Sequence, residues 1–261
     1  MAGAAERPVY SEPVIERLRR HPFGVEAFFR WSLVLTYALP ADRLAELIGP
    51  GLEIDAYDQW GFLAIALVQT EALRPRGLPA WLGNDFFLSG YRIFTRFHRR
   101  SGPTLRGLRI LRSDTDRRRM AVLGNLFTHY HYRRARLDAH AAPGRLEIAL
   151  RTARREADLH VVADLASRPA PLPASTPFRT MEDALTFAGP LPYTFSYDEA
   201  AGKMVLIKGV RKAWDPVSVA VDVREASYLE QPRFAGARLA SAFYLENVPY
   251  AWRPGSLEAI P

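Results

Sequence analysis

The sequence predicts a mainly β, α+β protein: an antiparallel sheet or barrel carrying a few short helices. Three observations lead there. Polarity alternates with period two in many segments of strand length, most clearly where Val217, Val219, Val221 and Val223 oppose Ser218, Ala220, Asp222 and Arg224. About ten strand-like segments stand against three short helical ones, with no strand–helix–strand alternation. No glycine fingerprint for a dinucleotide or nucleoside triphosphate accompanies them.

The elements follow in order. Ser11-Glu12-Pro13 ahead of Val14, Ile15 and Leu18 reads as a short capped helix, stopped near Pro22. It lies in an N-terminal extension over residues 1–25, ahead of one β domain over 26–261. Residues 27–37 alternate, so Phe29, Trp31, Leu33, Leu35 and Tyr37 share a face. Pro40-Ala41-Asp42 opens a helix through Ile48, ended by Gly49-Pro50-Gly51. Residues 62–70 form an apolar strand, and 74–85, with Pro75, Gly77, Pro79 and Gly83, a loop. Residues 87–98 put Arg92, Phe94, Arg96 and His98 on one face and Tyr91, Ile93, Thr95 and Phe97 on the other. After a turn at Ser101-Gly102-Pro103, residues 104–111 supply the partner strand. Further strands fall near 146–151, 160–165, 203–210, 217–223 and 239–245. Residues 167–177 make a long loop, and Thr180 caps a helix through Phe187, with Asp183 closing a capping box.

Composition narrows the chemistry. The 261-residue chain has no cysteine, which excludes disulfides, thiolate catalysis and cysteine-held zinc or iron–sulfur centres. No apolar run is long enough for a membrane helix and residues 1–10 carry no export signal, so the expectation is a cytoplasmic protein. The net charge is +7, yet residues 92–119 alone hold ten arginines against Asp114 and Asp116, a net of +8. That segment is either a surface for polyanions or a source of arginines for a small-anion site. Arg117-Arg118-Arg119 reads as an exposed turn, since adjacent guanidiniums repel and seek solvent.

Two segments carry a resemblance. Leu39-Pro40-Ala41-Asp42-Arg43-Leu44 with Ile48-Gly49-Pro50-Gly51-Leu52-Glu53 is one. The other runs from Ser113-Asp114-Thr115-Asp116 through Met120-Ala121-Val122-Leu123-Gly124 to Phe127-Thr128-His129-Tyr130-His131-Tyr132-Arg133-Arg134-Ala135. Both resemble acetoacetate decarboxylase-like proteins, and within them the family named domain of unknown function 2071. Leu191-Pro192-Tyr193-Thr194-Phe195 and Pro249-Tyr250-Ala251-Trp252-Arg253-Pro254-Gly255 resemble that family's C-terminal half. The likeness spans most of residues 27–255. It implies a β-barrel or cone whose central cavity takes a small carbonyl or carboxylate compound. In the decarboxylases two adjacent lysines follow the central glycine segment, one forming a Schiff base and the other lowering its pKa. Matched from Gly124, those positions fall on Tyr132 and Arg133. Neither forms an imine, so the fold carries over and that chemistry does not.

The candidate site follows. His129 and His131 offer acid–base chemistry, Tyr132 can polarise a carbonyl, and Arg92, Arg133 and Tyr91 are placed to bind substrate. If the segment is extended, His129, His131 and Arg133 share one face and Tyr130, Tyr132 and Arg134 the other, and either face can line the cavity. Arg92 either faces the cavity or pairs with a carboxylate on the next strand. Lys208, between Ile207 and Gly209 with Arg211 and Lys212 near it, is an alternative amine nucleophile. The His-x-His pair has metal-compatible spacing, but no third ligand sits at a diagnostic distance, so neither metal nor cofactor is expected. The leading expectation is a small-molecule protein whose ligand is anionic or carbonyl-containing. If it is an enzyme, it does proton-transfer or enol chemistry, lyase- or isomerase-like, without a Schiff-base lysine. A non-catalytic binding protein on the same fold is the alternative, and nucleic-acid binding through residues 92–119 a second. Exposed sheet edges make a homo-oligomer an expectation as well.

Overall fold

The computed structural model describes residues 14–189 and 191–261. The elements are α1 (Val14–Leu18), β1 (Val25–Pro40), α2 (Ala41–Ala45), β2 (Leu52–Ile54), β3 (Trp60–Pro75), β4 (Asn84–Phe97) and β5 (Leu105–Thr115). Then come α3 (Arg118–Phe127), β6 (Tyr132–Ala142), β7 (Arg145–Thr152), β8 (Leu159–Asp164), α4 (Met181–Phe187), β9 (Tyr193–Asp198) and β10 (Lys203–Arg211). β11 (Val217–Ser218), β12 (Ala220–Ala226), β13 (Arg238–Trp252) and β14 (Ser256–Ala259) complete the set. The fold is mainly β with short helices, as the alternation implies. The expected cap at Ser11-Glu12-Pro13 lies outside the described residues.

Hydrogen bonding follows the order β5-β9-β10-β13-β1-β3-β4, and β4 pairs back onto β5. Seven strands therefore close into a ring. β5 is the branch point: residues 107–109 pair with β9, while 113–115 pair with β6. From β6 a second, antiparallel sheet runs through β7 and β8 to β12. Both branch pairings are parallel, within an otherwise antiparallel sheet. Alternation fixes which face is buried and says nothing about strand direction.

The two faces of the long strands serve different neighbours. Leu33, Leu35, Leu63, Ile65, Tyr91 and Ile93 pack against Leu146, Ile148, Leu159 and Val161 of the second sheet. Each such buried aliphatic side chain contributes about 1.5–3 kcal/mol, so this seam is the main core. The opposite face of the same strands points into the ring. Phe29 is the exception to the face expected for residues 27–37. The β1–β3 register shifts between Phe29 and Trp31, and this bulge turns Phe29 toward Ala66 and Val68 inside the ring.

α3 has no counterpart in the sequence reading. It opens on Arg118 and Arg119 with no acidic residue in its first turn and no side-chain cap. The usual start signals are missing, and cations sit at the end where the helix dipole is positive. Arg117, Arg118 and Arg119 are exposed, but on a helix start rather than a turn. α4 does have its expected capping box, Thr180 with Asp183.

The basic segment disperses on folding. Arg96 and Arg106 both bond the buried Asp55 at 2.6 Å, Arg99 bonds Glu258, and Arg112 is bound by Asp114 and Glu156. In the second sheet His160 and Arg145 hold the Glu147 carboxylate down to about 2. A depressed carboxylate stabilises the fold above its unfolded pKa, and the contribution is lost as pH falls through the folded value. The Glu147 carboxyl carbon should therefore titrate by NMR with a midpoint near 2, and a midpoint at the ordinary 4.5 would remove this tie between β7 and β8. No helix among the described residues is long and apolar enough to cross a membrane.

Candidate functional site

Inside the ring lies a cavity of about 130 Å³. Its walls are mostly apolar, including Val34, Ala64, Val68, Phe94, Ile110 and Leu245. The exposed Leu185 of α4 marks the rim on one side, and Trp214, just past β10, also lines the space. The titratable groups that line it are two arginines and three tyrosines: Arg92, Arg211, Tyr130, Tyr132 and Tyr250. No carboxylate, histidine or lysine lines it among the described residues.

Arg92 is the most unusual of these. It sits mid-strand on β4, lines the cavity, and has its Nε fully buried. Its Nε has no hydrogen-bond partner, and among the described residues Arg92 makes no ion pair. Burial pushes its pKa down, and the neighbours acting against that are the phenols of Tyr250, Tyr132 and Tyr130. A guanidinium does not give up its proton at accessible pH, so the penalty is borne as lost stability.

The three phenols stay protonated. Burial raises all three, with Tyr132 pushed up to about 12. Tyr130 Oη lies 2.5 Å from Thr194 Oγ1, and Arg211 donates to Tyr250 Oη at 3.3 Å while its guanidinium stacks over Trp214. The site thus presents cations and neutral O–H groups, all able to donate to an anionic oxygen.

Three glycines make room for this set. A Cβ on Gly90 would meet Arg92 Nε at 2.9 Å, one on Gly124 would collide with the Tyr132 ring, and one on Gly209 would collide with Tyr250 Oη. Asn125 clamps Tyr132 as well: its Oδ1 accepts from the Tyr132 N–H at 2.7 Å and its Nδ2 donates to the Tyr132 carbonyl at 2.8 Å. α3 therefore sets the position of Tyr132. Gly124→Ala should displace that ring. NMR should show shifted Tyr132 ring resonances despite the gain of up to about 1 kcal/mol in helix propensity.

The sequence candidates separate. Arg92 and Tyr132 meet in the cavity. The alternation around residue 131 sends Tyr130 and Tyr132 inward, whereas His129, His131 and Arg133 line a different depression on the outside. Residues 129–131 are not a strand; β6 starts at Tyr132, and His131 has φ 54°. Tyr91 faces away from the cavity into the seam with the second sheet, where its hydroxyl donates to the Ala157 carbonyl at 3.3 Å. Lys208 also points away: Ile207 and Gly209 line the cavity, while the Lys208 ammonium lies 5.5 Å from the centre of the Tyr193 ring. Among the described residues no group of three metal-ligating side chains occurs. Arg211 and Tyr250 also line the cavity, and the sequence reading does not place them there. Gly209 beside the apolar run of β10 was the available signal, since a strand-interior glycine marks close approach of another group.

A strand ring around a cavity of this kind defines an acetoacetate decarboxylase-like fold. The structure resembles acetoacetate decarboxylase from Legionella pneumophila, with a TM-score of 0.60, 12% identity, and coverage of 91% of this chain and 88% of that one. It also resembles an acetoacetate decarboxylase-like enzyme from Sphingomonas wittichii RW1, with a TM-score of 0.58, 12% identity and 98% of both chains. A third is the enduracididine biosynthesis enzyme MppR in complex with pyruvate, with a TM-score of 0.52, 12% identity, 98% of this chain and 94% of that one. At such identities the likeness concerns the fold alone. Residues 28–249 match the family of domain of unknown function 2071, described as an uncharacterized conserved protein, and the chain belongs to that family. No curated protein sequence matches it.

Proposed function

We propose that the central cavity binds a small carboxylate or carbonyl compound, with Arg92 as the partner of its anionic oxygen. One observation carries this: among the described residues, a buried guanidinium lines a cavity without carboxylates and makes no ion pair. Burying an unpaired charge costs several kcal/mol, and an anionic ligand offsets that cost by supplying the missing partner. Tyr132, Tyr130 and Tyr250 add neutral donors, and the apolar walls accept a short carbon tail. MppR's pyruvate complex on a similar fold supports a ligand of this size and class.

The reading excludes an imine. The chain has three lysines, Lys203, Lys208 and Lys212, and none lines the cavity. Calorimetry with pyruvate and 2-oxohexanoate tests the reading. Both should bind saturably, the longer one more tightly by up to about 0.8 kcal/mol per buried methylene. Borohydride treatment of either mixture should leave the protein mass unchanged. Absence of saturable binding for both compounds sinks the proposal. Gly90→Ala gives a finer check, because its Cβ would displace the flexible end of Arg92 without straining the backbone. Affinity should drop about tenfold with little change in melting temperature.

A second reading, enolisation of a bound ketone, draws on the phenols clustered around Arg92, a set suited to stabilising an enolate oxygen. No lining residue among those described is an ordinary base near neutral pH, so binding without turnover is the better supported reading. Deuterium uptake at C3 of pyruvate in D2O above the protein-free rate would favour enolisation. An unchanged rate favours binding alone.

A further inference from the structure

Outside the ring, the residues that the cavity leaves out gather in one depression. Arg19, beyond α1, faces His129, His131 and Arg133 there, with Asn125 and Tyr132 at its wall. No carboxylate lines it among the described residues. His129 Nε2 is buried without a hydrogen-bond partner, and so is Arg109 Nε on β5. The charged groups that act on His131 are all cations: Arg109, His129, Arg133 and Arg19. Asp198 and Glu16 act on His129 in the opposite sense, but Asp198 is bonded to Arg20 at 2.6 Å and Glu16 to Arg19 at 2.9 Å. Arg133 meets Glu156 only at 3.5 Å on an exposed edge. His131 is held at φ 54°, a conformation that side chains with a Cβ seldom adopt and that clusters at functional positions.

We propose that this outer depression binds a phosphate-class oxyanion, at a site separate from the cavity and on the far side of Tyr132. The anion would accept from the unpartnered His129 Nε2 and from His131 and Arg133, giving the excess of donors an acceptor. The site does not depend on what the cavity binds. Free of ligand, both imidazoles are held below their usual pKa, first by burial and then, for His131, by Arg109. A bound dianion would favour the imidazolium forms, so binding takes up protons and weakens as pH rises.

The test is histidine NMR on the full chain, titrated with inorganic phosphate and, because it keeps its charge across the range, with sulfate. Wild type should show saturable shifts at His129 and His131, and sulfate affinity should fall between pH 5.5 and 7.5. His131→Asn, chosen because asparagine tolerates a left-handed backbone, and the exposed Arg133→Gln should each raise the dissociation constant at least about tenfold. Arg92→Met should leave phosphate binding unchanged. Unchanged affinity in both His131→Asn and Arg133→Gln overturns the proposal. So does loss of binding in Arg92→Met, which would place the anion in the cavity. Shifts that are linear and equal to those in chloride of the same ionic strength overturn it as well.

Discussion

Replacing Arg92 with methionine should weaken binding of pyruvate by about 30- to 1000-fold, the roughly 2–4 kcal/mol of a buried charge contact. The same change should make the empty protein more stable by about 1–3 kcal/mol, since it removes a buried, unpaired guanidinium. The two signs matter together. A structural arginine held by a carboxylate would lose stability when truncated, whereas Arg92 has no ion pair among the described residues. Methionine keeps much of the aliphatic length of the side chain, so the change removes mainly the charge. Denaturant melts and calorimetry on one preparation report both effects. A fall in stability with unchanged affinity would make Arg92 a structural residue and remove the basis of the functional reading.

Asp55→Asn should cost about 2–4 kcal/mol, somewhat less than a broken fully buried pair because the partner guanidiniums are partly exposed. Asp55 is wholly buried and accepts from Arg96 on β4 and Arg106 on β5, each at 2.6 Å. Without its charge, two guanidiniums crowd each other beside a buried amide. The consequence reaches the cavity. Arg106 also donates to the Phe187 carbonyl at 3.0 Å and stacks on the Phe187 ring, which fastens the end of α4. α4 carries Leu185 at the rim. The melting temperature should fall by about 5–10 °C, and amide exchange in α4 should accelerate more than in β7. Uniform acceleration across both elements would separate Asp55 from the rim.

Much of this fold was legible in the residues, and the limits have physical causes. Period-two alternation located the strands and the opposite faces of β4, so Arg92 and Tyr91 were assigned to different sides before either environment was known. Alternation carries no information on strand direction, and the parallel joins at β5 stayed hidden. A single bulge reversed Phe29, because one extra residue exchanges the faces of everything beyond it. α3 has no acidic first turn and no side-chain cap, so local signals do not mark its start. The lining of the candidate cavity was legible in part. Arg92 and Tyr132 were named from one strand and one motif, while Arg211 and Tyr250 come from β10 and β13, which only ring closure brings opposite β4. The resemblance groups the two histidines with Tyr132 in one central segment, yet neighbours in an extended segment face opposite ways.

The contact between Arg92 and the ligand can be measured directly in a crystal structure of the protein with bound pyruvate. The account predicts the pyruvate carboxylate inside the ring, with an oxygen within about 3.2 Å of an Arg92 guanidinium nitrogen and at least one phenol donating to the ligand. Pyruvate bound only outside the ring, with the Arg92 guanidinium still unpartnered, would contradict it.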